Sequence, residues 1–368
     1  MSHIAIDARI INSSTGRYVE RLLHYLQKID TTNHYSVLLL EKDNDFWQPT
    51  SDNFKTVVAD YDQYSFAEQI GFKRQLDELA PDLVHFCMPQ QPVMYKGNKV
   101  TTIHDLTLLK VYNSDKNWFT YHVKQVVGRF VFKRVIATSA HIMTPSDFSK
   151  NDIIAFDGRA AGKITTTYNA ADVSDDAPEP YELPFAQFIM YVGQQSDYKN
   201  IQRLGAAHQR LIKKYPDLGL VLVGSKNDSA ELNEDTFNEK GFKNIVFTGF
   251  LPDAQLNWLY SKATAYVFPS LMEGFGLPGL EAMGHGTPVV SSNATCLPEI
   301  YGEAAHYFDP HDTTDMARAI DEVVDSDTLR KKLVRAGHAQ FKKYSWQETA
   351  EQTHQIYSNA LGAESESN

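Results

Sequence analysis

The segment EGFGLPGLEAMGHGTPVV, which begins at Glu273, carries two acidic residues eight positions apart among several glycines. An apolar run, TAYVFPS, precedes it and predicts a strand, and Pro278 suits the first turn of a helix that contains Glu281. We therefore expect Glu273 in the loop and Glu281 on the helix. Gly274 and Gly276 leave room for a ligand close to the backbone, and the N–H groups of such a loop, together with the helix dipole, favour an anion.

Carboxylates beside an anion site are suited to accept hydrogen bonds from hydroxyl groups, so a phosphorylated sugar, which offers both groups, fits this segment. For an isolated pair of acids a structural role is the more common one, in which Glu281 stabilises its own helix and the glycines only form a tight turn. Paired carboxylates also occur in glycosidases, where they flank the glycosidic bond about 5 to 9.5 Å apart. A loop that favours phosphate is out of place between such a pair.

The rest of the chain alternates short β-branched runs with amphipathic stretches, which predicts βα units and parallel sheets. Apolar residues at helical spacing predict a surface helix at 16–29 and another at 67–80. Strands are expected at 3–9, 35–41, 54–60, 82–87, 99–106, 135–146 and 163–169, and then at 188–193, 219–225, 244–250, 264–270, 287–292 and 304–310. The fold class is therefore α/β, with two Rossmann-like, doubly wound parallel sheets.

A chain of 368 residues exceeds the size at which one core keeps growing, so two domains are expected. The acidic, proline-rich stretch ADVSDDAPEPYELP has no apolar period and is the best linker candidate. We predict an N-terminal domain at 1–172, a linker at 173–184, a second domain at 185–345, and a last helix at 346–361.

Composition narrows the partners and the location. With 35 basic and 46 acidic residues the net charge is -11, which argues against nucleic acid as a partner. Cys87 and Cys296 are the only cysteines, so a disulfide framework is unsupported and a reducing cytoplasm is the expected location. The N-terminus does not have the pattern of a signal peptide, and no apolar run is long enough for a spanning helix.

The common catalytic fingerprints are missing from the sequence. No G-x-G-x-x-G follows the first strand, and no Walker A loop, H-E-x-x-H helix or G-x-S-x-G elbow is found. Hydride transfer, phosphate-loop hydrolysis, zinc hydrolysis and serine hydrolysis each lose their usual signal.

The segment PSLMEGFGLPGLEAMGHGTPVVSSNATCLPEI resembles, nearly position by position, the E-x7-E signature of the retaining family 4 glycosyltransferases. YVGQQSDYKN and VFTGFLPDAQLNWLYSKATAYVFPS resemble that family too, as do IDARIINSSTGRYVERLL and VTTIHDL near the N-terminus. The resemblance implies the glycosyltransferase-B architecture of two Rossmann-like domains facing a cleft. The first domain would hold the acceptor and the second the nucleotide-sugar, and the last helix would cross back to the first.

The resemblance assigns roles to residues of the second domain. Glu273 matches the acid that contacts hydroxyls of the donor sugar, Glu281 the acid that contacts the ribose, and Lys199 the lysine that meets the diphosphate. The loop whose amides approach the sugar and the phosphate corresponds to Gly274, Phe275, Gly276 and Leu277.

In the first domain, Gly16 matches the first-loop glycine on the diphosphate side and His104 the histidine near the transferred sugar. By itself a histidine at a strand end is more often a packed or capping residue. Asp105 fits an orienting role in the same loop. With Lys199 and Glu273, His104 completes the expected catalytic set.

One departure from the family concerns the charge at the diphosphate. Many members carry an arginine after the YVG strand, whereas this chain has Gln194 and Gln195, which donate hydrogen bonds but bring no charge. Either another cation substitutes, with Arg203 and Lys226 as candidates, or the amides and Lys199 suffice. A catalytically silent nucleotide-sugar binder is the alternative.

The resemblance implies transfer of a hexose with retention of anomeric configuration, with no metal and no cofactor. The leaving diphosphate would help to deprotonate the acceptor. GDP-mannose is the favoured donor and UDP-hexoses are the alternative, for glucosyl or N-acetylhexosaminyl transfer. A glycan or lipid-linked acceptor of polysaccharide or glycoconjugate assembly is expected.

The stretch KNWFTYHVKQVVGRFVFKR, residues 116–134, holds five basic residues and many aromatic ones but no acid. It fits either a core-facing helix whose basic side chains extend to solvent, or a peripheral contact with the inner face of a membrane.

Overall fold

The computed structural model describes residues 1–13, 15–111 and 118–365, with side chains described for all of these except 118–124 and 363–365. The strands, in chain order, are β1 His3–Asp7, β2 His34–Leu39, β3 Phe54–Val58, β4 Leu83–Phe86, β5 Lys99–Thr102, β6 His141–Thr144, β7 Ile164–Thr166, β8 Gln187–Val192, β9 Leu218–Val223, β10 Ile245–Gly249, β11 Ala265–Phe268, β12 Val289–Ser292 and β13 Ala305–Phe308.

The helices are α1 Gly16–Ile29, α2 Lys73–Leu79, α3 Thr107–Lys110, α4 Trp118–Thr138, α5 Asp147–Phe156, α6 Ile201–Leu211, α7 Asp228–Glu239, α8 Asp253–Lys262, α9 Leu277–Gly284, α10 Leu297–Tyr301, α11 Thr313–Asp325, α12 Asp327–Phe341 and α13 Trp346–Ser365. A π-helical turn, Glu68–Phe72, leads into α2, and a short 3₁₀ turn, Asp197–Lys199, precedes α6. In the part of the chain that the structure describes, none of the helices has the length and apolarity to cross a lipid bilayer.

Two parallel sheets form two compact units. The seven-stranded sheet has the order β3-β2-β1-β4-β5-β6-β7 and the six-stranded sheet the order β10-β9-β8-β11-β12-β13. Both are doubly wound, with the strand order reversing between β1 and β4 in the first and between β8 and β11 in the second. The predicted fold class of two Rossmann-like sheets is confirmed.

The first unit is built from parts of the chain that are far apart in sequence. It takes the described residues within 1–110, 118–169 and 345–365, whereas the second unit is formed mainly by 170–344. Helix α13 packs on α1 and buries Trp346, Thr353 and Tyr357. The Tyr357 hydroxyl lies 2.6 Å from Nδ1 of His85 on β4, so the end of the chain is hydrogen-bonded to the first sheet.

The chain has no helix or strand within 170–186, a range that includes the expected linker. Asn257 on α8 donates from its side-chain amide to the carbonyl oxygens of Ser174 at 3.3 Å and Asp176 at 2.9 Å. This segment is therefore tied to the second unit at α8.

The strand predicted at 135–146 is half wrong. Helix α4 continues to Thr138, and β6 covers only His141–Thr144. Phe132, Val135 and Ile136 point into one core cluster at helical spacing. A short apolar run fits a strand and a buried helical turn equally well. Here the first part of the run is the last turn of α4 and is therefore helical.

Candidate functional site

The reversal of strand order in the second sheet brings two loops together. The loop after β8 ends in the 3₁₀ turn that contains Lys199, and the loop after β11 contains Glu273. The amide N–H of Leu271 donates to the carbonyl oxygen of Tyr198 at 2.8 Å, which joins the two loops directly. Ligands of open parallel sheets bind at this kind of position, outside the carboxyl ends of the strands.

Lys199 and Glu273 form an ion pair at this point. Lys199 Nζ lies 2.6 Å from Glu273 Oε1, and the two side chains are 15% and 12% exposed. Burial disfavours the charged lysine, but the adjacent Glu273 carboxylate, together with Tyr191 and Tyr198, more than offsets burial and raises the pKa of Lys199 above its usual value. Lys199 therefore stays cationic at neutral pH, and its charge is fixed where the strand order of the second sheet reverses.

The glycine loop that follows Glu273 is held by residues 295–301. The Thr295 hydroxyl accepts from the Glu273 N–H at 3.2 Å, and the Cys296 thiol donates to the Glu273 carbonyl at 3.3 Å. The buried Tyr301 hydroxyl donates to the Gly276 carbonyl at 2.6 Å. Both ends of the loop are thus fixed to the segment that follows β12, the next strand of the sheet.

Gly276 cannot be replaced without strain. Its φ is +94°, and a Cβ at this position would lie 2.5 Å from the Tyr301 hydroxyl oxygen and 2.7 Å from Leu297 Cδ2. The glycine lets the backbone lie directly on Tyr301 and turn into α9.

The remaining predicted residues of this loop take distinct positions. Phe275 is 5% exposed and packs edge-on against Tyr344, with ring centroids 5.5 Å apart, so its side chain faces the protein interior. Leu277 is the first residue of α9, Pro278 lies in its first turn, and Glu281 lies within the helix and is half-buried. The predictions that Glu273 is in the loop and Glu281 is on the helix are confirmed.

The glutamines after β8 bring no charge to the site. The Gln194 carbonyl accepts from the Tyr191 hydroxyl at 2.5 Å, and Gln195 is 3% exposed. Of the two candidate substitutes for the arginine, Arg203 donates from Nη1 to Asn200 Oδ1 at 2.9 Å, whereas Lys226 is exposed on the loop after β9.

The other two predicted residues, Gly16 and His104, lie in the first unit. Each follows a strand at or near the reversal of strand order in the first sheet, Gly16 after β1 and His104 after β5. Gly16 begins α1, and a Cβ there would lie 1.8 Å from the carbonyl oxygen of Ile11. The conformation of the loop between β1 and α1 therefore requires a glycine at position 16, whether or not a ligand binds there. His104 follows β5, and the Asp105 carboxylate beside it accepts from the Thr107 N–H at 2.7 Å, which orients the turn into α3.

The tautomer of His104 follows from its partner. Nε2 lies 3.1 Å from the carbonyl oxygen of Cys87, and since a carbonyl only accepts, Nε2 carries the proton. Burial lowers the pKa of His104, although Asp105 acts in the opposite direction. The ring is therefore neutral near pH 7, with Nδ1 unprotonated and able to accept a hydrogen bond.

A buried ion cluster at the end of β1 has no counterpart in the sequence predictions. Arg9 is 3% exposed and donates to Asp7 Oδ1 and Oδ2 at 2.8 Å and to Glu68 Oε1 at 2.9 Å. Its guanidinium also lies 4.1 Å from the centre of the Phe72 ring. The cluster joins the loop after β1 to the π-helical turn at 68–72. The only signal in the sequence is the charged pair in IDAR at a strand end.

Comparison with known proteins agrees with this arrangement. A model of Glycosyltransferase Family 4 matches residues 15–175, and a model of Glycosyl transferases group 1 matches residues 182–340. The O-antigen chain mannosyltransferase B of Escherichia coli is 34% identical over 277 residues, which cover 70% of this chain and 69% of that protein. This chain belongs to glycosyltransferase family 4.

A second relative of the glycosyltransferase is the serotype-specific mannosyltransferase WbdA of Escherichia coli, 25% identical over 374 residues. That match covers 94% of this chain but 44% of WbdA, so the chain spans less than half the length of that relative.

Two solved structures share the fold of the glycosyltransferase. Sucrose-phosphate synthase from Thermosynechococcus elongatus has a TM-score of 0.79 at 19% identity, covering 99% of this chain and 100% of that one. HepE from Anabaena, in complex with UDP and glucose, has a TM-score of 0.73 at 15% identity, covering 98% and 100%.

Proposed function

We propose that this glycosyltransferase moves a hexose, with mannose favoured, from a nucleoside-diphosphate sugar to a hydroxyl group of a glycan or lipid-linked acceptor. The observation that carries the proposal is the Lys199–Glu273 ion pair at the strand reversal of the second sheet. One loop there offers a fixed cation and the other a carboxylate and a glycine backbone, which together suit a diphosphate joined to a sugar.

Lys199 interacts with the diphosphate of the donor, and Glu273 interacts with its sugar. The lysine faces a leaving diphosphate, where a cation stabilises the charge that develops as the bond from the anomeric carbon to the phosphate oxygen breaks. The carboxylate accepts from a hydroxyl group of the sugar. In the same step the acceptor oxygen bonds to the anomeric carbon, and its proton passes to the departing diphosphate.

We infer that Glu281 accepts a hydrogen bond from a ribose hydroxyl of the donor. The backbone of Gly274 to Leu277 lies along the sugar and the phosphate. Gly16 and the neutral His104 are the residues that the first unit contributes. Nδ1 of His104 is an acceptor, so a sugar hydroxyl is the group that it suits. Retention and independence of metal are further parts of the proposal.

Support for mannose comes from the relatives. Two that cover most of this chain are named as mannosyltransferases, and both names refer to O-antigen or serotype. GDP-mannose is therefore the donor that we favour, with assembly of a cell-surface polysaccharide as the setting. A UDP-hexose is the second candidate, because HepE shares the fold and was solved with UDP and glucose.

The test is a donor panel of GDP-mannose, UDP-glucose and UDP-N-acetylglucosamine, measured by thermal shift and by release of nucleoside diphosphate in the presence and absence of EDTA. We expect one donor to raise the melting temperature and to turn over slowly in both conditions. Lys199→Ala should abolish turnover and Glu281→Ala should weaken binding. Lys214→Ala is the matched control, because Lys214 is also an ion-paired lysine of the second unit, with Nζ 2.9 Å from Asp321 Oδ1 on an exposed surface.

Three results would contradict parts of the proposal. Donor binding without turnover by the wild-type chain would support the silent binder, which Gln194 makes the chief alternative. Loss of activity with EDTA, restored by a divalent cation, would refute independence of metal. A product with inverted anomeric configuration, assigned by NMR, would refute retention.

A further inference from the structure

Eight large apolar side chains lie exposed on four segments of the first unit. Each is more than half exposed, and Phe66 is 88% exposed. We call them the apolar face: Tyr64, Phe66, Ile70, Met94, Leu108, Val126, Val127 and Phe130. Soluble proteins usually expose single apolar residues, so a group of them marks a contact surface when they are contiguous.

Hydrogen bonds join the four segments into one surface. The Gln69 side chain accepts from the Val93 N–H at 3.0 Å, next to Ile70 and Met94. Arg134 on α4 donates from Nε to the Val93 carbonyl at 3.2 Å. Gln125, also on α4, donates to the Leu108 carbonyl at 2.7 Å. The π-helical turn, the loop after β4, α3 and α4 therefore lie side by side.

The orientation of α4 is fixed by its other side. Phe132, Val135 and Ile136 are buried in the core cluster beneath the helix. Gly128 lies against Leu109, whose Cδ2 would be 3.0 Å from a Cβ at the glycine. Because the core takes one side of α4, Val126 and Phe130 face solvent as a consequence of the fold.

The charge of these segments is positive, in a chain whose net charge is -11. Within 64–70, 90–97, 107–110 and 125–134 there is one acid, Glu68, which is 1% exposed and paired with Arg9. The same segments carry the exposed cations Lys96, Lys110, Arg129 and Lys133, of which Lys110 is paired with Asp152. An apolar surface with cations and without exposed acids complements an anionic, partly apolar partner.

We propose that the apolar face docks on the surface of a bilayer that contains anionic lipids. Apolar side chains enter the boundary between headgroups and acyl chains, while arginine and lysine meet the phosphates. Of the stretch 116–134, residues 116 and 117 lie outside the described residues. The apolar face takes its residues from 125–134 and from the three other segments. The proposal concerns the first unit and is independent of the donor chemistry of the second.

The test is co-sedimentation of the full chain with vesicles of phosphatidylcholine alone or of equal parts phosphatidylcholine and phosphatidylglycerol. We expect binding to the mixed vesicles that falls with added salt, and little binding to the neutral ones. Phe66→Ser and Phe130→Ser should each weaken binding about tenfold, as expected for removing one large apolar side chain from the bilayer. The double variant Arg129→Gln, Lys133→Gln should weaken it about 25-fold, at about fivefold for each cation.

Matched controls come from the second unit. Phe250 is 80% exposed, so Phe250→Ser removes a comparable aromatic side chain elsewhere, and Lys213→Gln removes an exposed cation. Neither should change vesicle binding. The proposal is overturned if the mixed vesicles do not bind the chain, or if the controls weaken binding as much as Phe66→Ser and Phe130→Ser do. It is also overturned if the wild-type chain is a dimer that these two variants make monomeric, because the face would then pair two copies.

Discussion

Replacing Tyr301 with phenylalanine removes one hydroxyl from beneath the glycine loop and leaves the ring in place. The lost bond is 2.6 Å long, and the Gly276 carbonyl would keep only the longer bond from the Gly279 N–H at 3.3 Å. Leaving a buried acceptor poorly satisfied costs about 1–3 kcal/mol, and the remaining bond places this case in the lower half of that range. The pKa of Tyr301 is raised well above its usual value by burial, so the hydroxyl is a donor at every working pH.

The effect of Tyr301→Phe on binding of the nucleotide-sugar donor depends on whether the Tyr301 hydroxyl holds the loop in its binding position. If the bond keeps the backbone of Gly276 in place for a diphosphate-sugar, its loss weakens donor binding by up to about tenfold, which corresponds to about 1.4 kcal/mol. We expect the KM for the donor to rise by that factor in Tyr301→Phe, with a smaller change in kcat, and the melting temperature to fall by a few degrees.

The control is Tyr307→Phe. The Tyr307 hydroxyl donates to the carbonyl of another glycine, Gly302, at 2.7 Å, and Tyr307 lies on β13 rather than beneath the glycine loop. It should lose stability without losing donor affinity, as measured by calorimetric titration with the donor. If Tyr301→Phe binds the donor as tightly as the wild type does, or if both variants lose affinity equally, the positioning role is refuted.

Two further predictions concern the stability of the first unit. Burial lowers the pKa of His85 to about 3, so below pH 6.5 the unfolded chain takes up a proton that the folded chain does not. The contribution of His85 to stability should therefore be constant above pH 6.5 and fall between pH 6.5 and 3, by at most about 1.4 kcal/mol per pH unit. In that range urea titrations should show a flatter profile for His85→Asn. Arg9→Met leaves the carboxylates of Asp7 and Glu68 buried without their cation and should cost about 3–5 kcal/mol in urea denaturation at pH 7, less in acid where the carboxylates are protonated. Arg74→Met, which breaks an exposed ion pair, should cost less than about 1 kcal/mol, and a similar loss in both variants would contradict the account of the buried cluster.

Most of the fold was predictable because strands of a parallel sheet are buried on both faces and read as continuous β-branched runs. Apolar runs of this kind mark most strands of the described chain, although β13, AHYF, has no β-branched residue. The helix predicted at 16–29 agrees with α1 residue for residue. The alternation fails at 135–146, where only Ser139 and Ala140 separate the apolar turn that ends α4 from the start of β6.

The positions of the site residues were predictable from local signals, but their contacts were not. Pro278 places Glu281 on a helix and leaves Glu273 in the loop before it. The ion pair from Lys199 to Glu273 joins residues 74 positions apart and depends on the strand order, which one sequence does not contain. The hydrogen bond from Tyr301 to the glycine loop depends on β12 lying beside β11. It could not be predicted, because it too depends on the strand order.

The first unit is completed by the last helix, and this affects the order in which the protein folds during synthesis. The ribosome makes residues 170–344 without interruption, so the second sheet has all of its strands before α13 exists. At about 5–20 residues per second, about 9–36 s pass between the end of β7 and the appearance of Trp346. During that interval the face of α1 that α13 covers is open, and His85 lacks the Tyr357 hydroxyl. The nascent chain therefore has its second sheet complete while its first still exposes apolar surface, and this is the stage at which a chaperone would have a surface to bind.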